Sequence, residues 1–154
     1  MWENSKAKGK GKYYMEGGVS EGFWDNNNKN NYGTEEWDDG NKYEGNYKDG
    51  MKHGKGTFRW NENEYYEGEF YEDKIEGYGI HEWPDGSVYK GNWKNFEMHG
   101  EGEFYWKSGM KFKGMYKHGK RNGYGVFTWP DGKRCEGTWE NGEKKDVKFY
   151  GGEG

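Results

Sequence analysis

The 154-residue chain has the length of one ordinary domain or one short repeat array, and its formal net charge is −4. It contains no Leu, and Ile, Val and Ala together number seven, which excludes an aliphatic core of the usual kind. The 31 aromatic residues (14 Tyr, 9 Trp and 8 Phe) and 29 Gly predict a core of rings packed over glycine. The mean hydropathy of −1.55 predicts no membrane-spanning helix, and the N-terminus does not resemble a secretory signal. The single cysteine, Cys135, favours a reducing compartment.

Glycine recurs along the chain with a step of 23 residues. One series is Gly22, Gly45, Gly68, Gly91, Gly114 and Gly137, and a second is Gly33, Gly56, Gly79, Gly102 and Gly125. Two residues before the first series stand Ser20, Tyr43, Tyr66, Tyr89, Phe112 and Cys135, and a third series is Trp37, Trp60, Trp83, Trp106 and Trp129. A step that holds at so many positions indicates a repeat architecture.

Each 23-residue unit has the pattern of a β-hairpin. In the unit that begins at Tyr43, rings and glycines alternate with charged residues on both sides of the turn sequence KDGMKHG. A period of two predicts strands with rings and glycines on one face and charges on the other. The glycines are expected to leave room for a ring to lie over the neighbouring strand. WPDG at 83–86 and 129–132 predicts type I turns between consecutive hairpins.

These patterns predict an all-β fold, an elongated, single-layer, twisted antiparallel sheet of tandem hairpins. The predicted units span 20–42, 43–65, 66–88, 89–111, 112–134 and 135–154. Residues 1–19 are interpreted as an N-terminal cap or partial repeat that resembles a lone second strand. The Asn-rich stretch at 25–31 is predicted to form the hairpin turn of the first unit.

The repeat resembles a known family. YEGNYKDGMKHGKGTFRW, YEGEFYEDKIEGYGIHEWPDG, YKGNWKNFEMHGEGEFYWKSG and FKGMYKHGKRNGYGVFTWPDG are similar to the MORN (membrane occupation and recognition nexus) repeat, over about residues 20–154. MORN modules occur in junctional membrane tethers, phosphoinositide kinases, a lysine methyltransferase, protist cortical structures and ciliary radial spoke heads, so the resemblance implies a class of role. The length leaves no room for a kinase or methyltransferase domain. We therefore expect closer similarity to stand-alone ciliary radial-spoke and cytoskeletal members.

No residue pattern indicates a catalytic or metal site, so we predict that the chain is not an enzyme and needs no cofactor. His53 and His99 precede a repeat glycine, His81 takes a ring position and His118 falls in a turn. Cys135 also takes a ring position, and no base or orienting group accompanies it in the sequence. The GxG segments lie inside strands rather than before a helix, which excludes a phosphate-binding loop.

Charge is unevenly distributed along the chain. Residues 61–77 have a net charge of −6 and residues 107–134 a net charge of +7. A predicted basic patch consists of Lys90, Lys94, Lys111, Lys113, Lys117, Lys120, Arg121, Lys133 and Arg134. It is a candidate surface for anionic lipid or an acidic partner, or a solvated face on which Glu101 and Glu103 pair with lysines across strands. The negative overall charge argues against a nucleic-acid partner.

A predicted aromatic groove or core consists of Tyr47, Trp60, Phe70, Trp83, Trp93, Trp106, Tyr116 and Trp129. With no second layer to cover them, such rings suit an extended peptide or helix of a partner, or they serve only as the core. On the opposite face, Tyr78, Ile80, Tyr124 and Val126 mark a further contact surface or reflect β-propensity. The two end strands offer edges for end-to-end association between copies.

Three functions remain compatible with these features. The preferred one is a non-enzymatic scaffold or adaptor that holds protein partners in a multi-subunit assembly in the cytoplasm, at the cytoskeleton, the cilium (as in axonemal radial spokes) or the cell cortex. The alternative is a peripheral membrane module that binds anionic phospholipids through the basic patch. The third, regulation of a partner enzyme in trans, is neither supported nor excluded by the sequence.

Overall fold

The computed structural model describes residues 2–3, 6–7, 9–15, 17–25 and 28–151, which contain strands and turns but no helix. The chain divides into two compact units, residues 1–75 and 76–154. The strands of the first unit are β1 (Trp2–Glu3), β2 (Lys6–Ala7), β3 (Gly9–Met15), β4 (Gly18–Asp25), β5 (Asn28–Trp37), β6 (Lys42–Lys48), β7 (Met51–Asn61) and β8 (Glu64–Tyr71). Those of the second are β9 (Lys74–Glu82), which begins just before the boundary, β10 (Val88–Lys94), β11 (Glu97–Tyr105), β12 (Lys111–Lys117), β13 (Lys120–Thr128), β14 (Arg134–Glu140) and β15 (Glu143–Tyr150).

Strand pairing follows chain order within each unit. Strands β3 to β8 pair antiparallel, each with the next, and so do β9 to β15, while β1 and β2 form a separate pair. The register aligns the repeat glycines across the hairpins, Gly45 with Gly56, Gly91 with Gly102, and Gly114 with Gly125. The predicted all-β fold of tandem antiparallel hairpins is confirmed.

The core is built from rings that lie over these glycine pairs. Tyr43, Tyr89 and Phe112 each cover a pair, and a methyl group on any of the six glycines would overlap the ring or the facing backbone. The hydroxyls of Tyr43, Tyr66 and Tyr89 donate to the carbonyl three residues later, at 2.8, 2.8 and 3.0 Å. These rings are fully buried. The expectation that glycine makes room for a ring is therefore confirmed.

The turn inside each hairpin is shorter than the sequence pattern predicts. Asp49 and Gly50, with φ of 52° and 81°, form a two-residue turn of the type I′ class, and β7 already begins at Met51. The prediction that all of KDGMKHG is turn was wrong because Gly54, with φ of 88°, is a strand residue in the left-handed conformation. In the first hairpin Asn31, with φ of 61°, takes this position, since Asn tolerates that conformation.

The turns between hairpins follow the predicted geometry. In WPDG the Gly86 amide donates to the Trp83 carbonyl at 3.0 Å, and Gly86 has a φ of 91°. The carboxylate of Asp85 accepts from the Ser87 amide at 2.8 Å, and this bond lowers the pKa of Asp85. The same carbonyl-to-glycine bond recurs at Trp37, Trp106 and Trp129.

Two predictions at the N-terminal end fall partly outside the described residues. Strands β4 and β5 pair as far as Asp25 and Asn28, so residues 25 and 28–31 are strand, and the prediction that the Asn-rich stretch 25–31 is turn was wrong there; residues 26–27 are not among those described. Within the predicted cap, β3 pairs with β4 and places Gly11 opposite Gly22, whereas residues 1, 4–5, 8 and 16 lie outside the described ranges.

Candidate functional site

One row of rings in the second unit is fully packed. Tyr89, Phe112 and their neighbours meet edge to face, with centroid distances between 5.0 and 5.6 Å; the row consists of Tyr89, Trp93, Phe112, Tyr116 and Trp139. Trp93 is only 7% exposed, and its indole N–H donates to the Gly79 carbonyl at 3.2 Å. This row is core, and burial raises the pKa of the Tyr89 and Tyr116 phenols.

A second row of rings on the same face remains partly accessible. We call it the ring ladder; its members are Trp83, Phe104, Trp106, Phe127, Trp129 and Phe149. Successive centroids are 5.4, 4.5, 5.1, 5.1 and 6.2 Å apart. His81 stacks on Trp83 at 4.3 Å, which places this histidine in a ring position as predicted. The ladder offers a continuous, partly accessible aromatic surface of the kind that partner side chains favour.

The eight residues of the predicted groove are divided between core and surface. Tyr47, Phe70 and Trp93 are buried and belong to the core, and so does Tyr116, although it also forms part of a pocket wall. The four tryptophans at the ends of the second strands are partly accessible, namely Trp60, Trp83, Trp106 and Trp129. In the first unit Trp60 contacts Phe58 at 4.8 Å, and Phe58 contacts Trp37 at 5.7 Å.

A pocket of about 270 Å³ opens beside the ring ladder. We call it the Arg121 pocket; its lining includes Met98, Phe104, Trp106, Tyr116, Arg121 and Gly142. The Arg121 guanidinium lies 5.6 Å from the Phe112 ring and 5.8 Å from the Phe127 ring, and Nη2 donates to the Gly142 carbonyl at 3.3 Å. Its Nε is buried and has no hydrogen-bond acceptor among the residues that the structure describes. The pocket thus combines apolar walls with the Arg121 guanidinium and with the exposed Lys120, which also lines it.

The nine cations of the predicted basic patch do not share one surface. Six are exposed at strand positions that alternate with the rings, namely Lys90, Lys94, Lys111, Lys113, Lys117 and Arg134, and Lys120 is exposed at a hairpin turn. The Lys113 ammonium lies 3.7 Å from Glu103, the cross-strand pair that the sequence suggested, and Lys90 lies 5.4 Å from the Tyr105 ring. Arg121 and Lys133 instead contact rings of the aromatic face.

Arg121 lies on the aromatic face rather than with the outward cations of the predicted basic patch, and the spacing of its strand indicates this position. Arg121, Gly123, Gly125 and Phe127 are separated by two residues each, so one face of a strand carries them all. The outward residues Tyr78 and Tyr124 are 52% and 58% exposed, as expected for the opposite face.

The described residues contain no group of three or more His, Cys, Asp or Glu placed to hold a metal ion. Cys135 is a buried free thiol in the ring position that the sequence assigned to it. Within the same part of the chain, no helix has the length and apolarity needed to cross a membrane. The chemistry that the arrangement supports is non-covalent contact, through rings and cations.

A family model for the MORN repeat matches residues 1–19, 21–42, 43–64, 66–88, 89–111, 112–134 and 135–145. The chain belongs to the MORN repeat family. No curated protein matches it. Among solved structures, the TCP domain of SAS-4 (dCPAP) of Drosophila melanogaster, in complex with a proline-rich motif of Ana2 (dSTIL), is similar with a TM-score of 0.46 and 12% identity, over 82% of this chain and 77% of that chain.

Proposed function

We propose that this MORN repeat protein is a non-enzymatic scaffold that holds protein partners in a larger assembly, cytoskeletal or ciliary, of the radial-spoke kind. The observation that carries the proposal is the ring ladder, whose six rings contact one another in stacked or tilted pairs and stay partly accessible beside a pocket. Trp and Tyr side chains in such surroundings supply most of the binding energy at protein interfaces. MORN repeats as a family serve as interaction modules.

The test is replacement of Trp106 by Ala in cells that lack the unmodified chain. Trp106 contacts Phe104 and Phe127 on the ladder and lines the pocket, so its loss is expected to prevent incorporation into the assembly. Trp93 is a poorer choice because it is buried and its replacement would disturb folding. Tyr124→Ala, on the exposed opposite face, is the matched control. Normal incorporation of a folded Trp106→Ala chain would refute the proposal.

Detergent extraction of the source cells locates the assembly. A chain held by protein contacts stays in the insoluble pellet and leaves it when the salt concentration is raised. Extraction of cells with and without cilia then separates an axonemal from a cortical position. Release by detergent alone would contradict the scaffold proposal and favour a membrane surface.

A second candidate function is binding of anionic phospholipid through the outward cations. The observation in its favour is the row of exposed lysines on β10 and β12, of which Lys113 has a carboxylate partner and Lys94 and Lys117 have none among the described residues. Reversal of Lys113 and Lys117 to Glu is expected to release the protein from anionic vesicles. Failure of the unmodified protein to bind such vesicles at low salt would exclude this function.

A further inference from the structure

The Arg121 pocket lacks an acidic side chain that the same repeat positions hold elsewhere. Lys52 precedes Arg121 by three repeats, and Asp73 precedes Gly142 by the same distance. The backbone contact is equivalent in both places: the Asp73 amide donates to the Lys52 carbonyl at 2.9 Å, and the Gly142 amide to the Arg121 carbonyl at 2.8 Å. Yet Lys52 Nζ lies 3.6 Å from the Asp73 carboxylate, whereas Arg121 donates to the Gly142 carbonyl oxygen and has no carboxylate within ion-pair distance among the described residues.

Other cations of this face also lack carboxylates. Lys133 Nζ lies 5.6 Å from the Trp129 ring and 5.3 Å from the Phe149 ring, and Lys144 Nζ lies 5.5 Å from the Phe149 ring. Among the described residues none of Arg121, Lys133 and Lys144 forms an ion pair. The accessible ladder of the second unit is therefore bordered by positive charge that the fold does not neutralise.

The volume and the lining of the pocket indicate which chemical class of partner it binds. A volume of about 270 Å³ is at the small end for a ligand site and suits side chains of a peptide better than a whole cofactor. Its walls at Met98, Phe104 and Trp106 are apolar, and the half-buried Arg121 side chain, which has no carboxylate partner among the described residues, also lines it. A carboxylate is the best complement to this guanidinium because it accepts two parallel hydrogen bonds from it.

We infer that the Arg121 pocket binds an acidic segment of a partner protein, in which a carboxylate side chain stands next to an apolar one. The carboxylate takes the place that Asp73 fills beside Lys52, and the apolar side chain packs against Trp106 and Phe104. Further acidic residues of the segment lie near Lys133 and Lys144. The inference rests on the proposed scaffold function and specifies the chemical class of the partner segment that the scaffold binds.

The experiment is fluorescence anisotropy with the full chain and a labelled twelve-residue peptide that alternates Glu or Asp with Phe or Leu. A second peptide carries Gln and Asn in place of the acids, and a third carries Ala in place of the apolar residues. The variants are Arg121→Gln and Gly142→Asp. The second of these supplies the missing carboxylate from within, at a turn position where Asp73 shows that Asp is tolerated. Lys113→Gln removes the same charge from the opposite face.

The unmodified chain is expected to bind the acidic peptide at least tenfold more tightly than either control peptide. Arg121→Gln and Gly142→Asp are each expected to weaken binding about tenfold, and Lys113→Gln less than twofold. Gly142→Asp keeps Arg121 in place, so it remains informative if Arg121→Gln does not fold. Equal affinity for the three peptides, or equal loss in Lys113→Gln, would overturn the inference. So would Arg121-dependent binding of phosphatidylserine vesicles without peptide binding. If the acidic peptide does not bind while Trp106→Ala still blocks incorporation, the inference of an acidic partner segment is wrong and the proposed scaffold function stands.

Discussion

The packing of rings over glycine pairs makes a quantitative prediction at Tyr89 and Gly102. Gly102 does not have a left-handed φ, so its backbone tolerates a side chain. A methyl group there would nevertheless overlap the Tyr89 ring at its Oη, Cζ and Cε1 atoms. The ring would have to leave its place, break the 3.0 Å bond to the Asn92 carbonyl, and lose its edge contacts with Trp93 and Tyr116 at 5.1 and 5.2 Å.

The expected cost of Gly102→Ala follows from these losses. Overpacking costs about 1–3 kcal/mol and the lost hydrogen bond about 1 kcal/mol, so the free energy of unfolding falls by about 2–4 kcal/mol. Tyr89→Ala removes the buried ring and costs about 3–5 kcal/mol by itself. In that background Gly102→Ala meets no ring, and it changes stability little or raises it by about 0.5–1 kcal/mol, because Ala suits a strand better than Gly.

Urea denaturation of the four proteins in this cycle measures the coupling between the two positions. The predicted coupling is about 2–5 kcal/mol, the difference between the effects of Gly102→Ala with and without the ring. Tyr124→Ala, an exposed residue on the opposite face, provides the control cycle with Gly102 and should be additive. If Gly102→Ala lowered the free energy of unfolding equally with and without Tyr89, the packing of the Tyr89 ring would not explain why position 102 is glycine.

Three further predictions concern stability. Burial raises the pKa of five tyrosines above the usual 10.0, namely Tyr43, Tyr47, Tyr66, Tyr89 and Tyr116. These tyrosines keep their protons in the folded state, whereas the unfolded chain loses them above pH 10. Their contribution to the free energy of unfolding is therefore complete below pH 10 and falls above it by about 1.4 kcal/mol per pH unit for each tyrosine. Denaturation midpoints that stay constant between pH 9 and 11 would contradict this prediction. Phe96 occupies the second position of a two-residue turn with φ of 68° and is 58% exposed. Because glycine adopts this conformation more readily, Phe96→Gly should raise the free energy of unfolding, measured by urea titration, by about 0.5–1 kcal/mol. A decrease would show that the ring stabilises the turn. Val147 stands opposite Gly137, where other hairpins have a second glycine, so a ring at position 135 would have no glycine pair to lie over. Cys135→Tyr should therefore lower the melting temperature, and adding Val147→Gly should restore at least half of the loss. A Cys135→Tyr chain as stable as the unmodified one would refute this explanation.

The hairpins and their glycine-supported rings could be predicted from the sequence because each depends on local spacing. The alternation around Tyr43 gives the strand and its buried face, and the 23-residue step repeats it. The glycine pair beneath each ring follows from antiparallel pairing about a short turn.

The division of the rings into core and surface could not be predicted in this way. Alternation assigns Trp93 and Trp106 to the same face but does not tell that the first is enclosed by neighbouring rings while the second remains accessible. That difference depends on where each residue lies along its strand, at the centre or next to a turn. The position of Arg121 differs from the prediction for another reason, since a charged residue near a turn is expected to face the solvent, whereas Arg121 packs against the Phe112 and Phe127 rings.

The left-handed conformation of Phe96 could not be predicted from the sequence either. Its counterparts one repeat later and two repeats earlier are Gly119 and Gly50, which suit a left-handed φ. Only the turn length, fixed by pairing of Lys94 with Glu97, forces a phenylalanine into that conformation.

The ring ladder of the second unit is proposed as the surface that contacts a protein partner. Site-specific photo-crosslinking in the source cells tests this proposal, with benzoylphenylalanine placed at Trp106 and, in a separate chain, at Tyr124 on the opposite face. We expect discrete protein adducts from position 106, lost when Gly142→Asp is added, and none from position 124. Adducts from position 124 alone, or adducts from position 106 to lipid rather than protein, would contradict it.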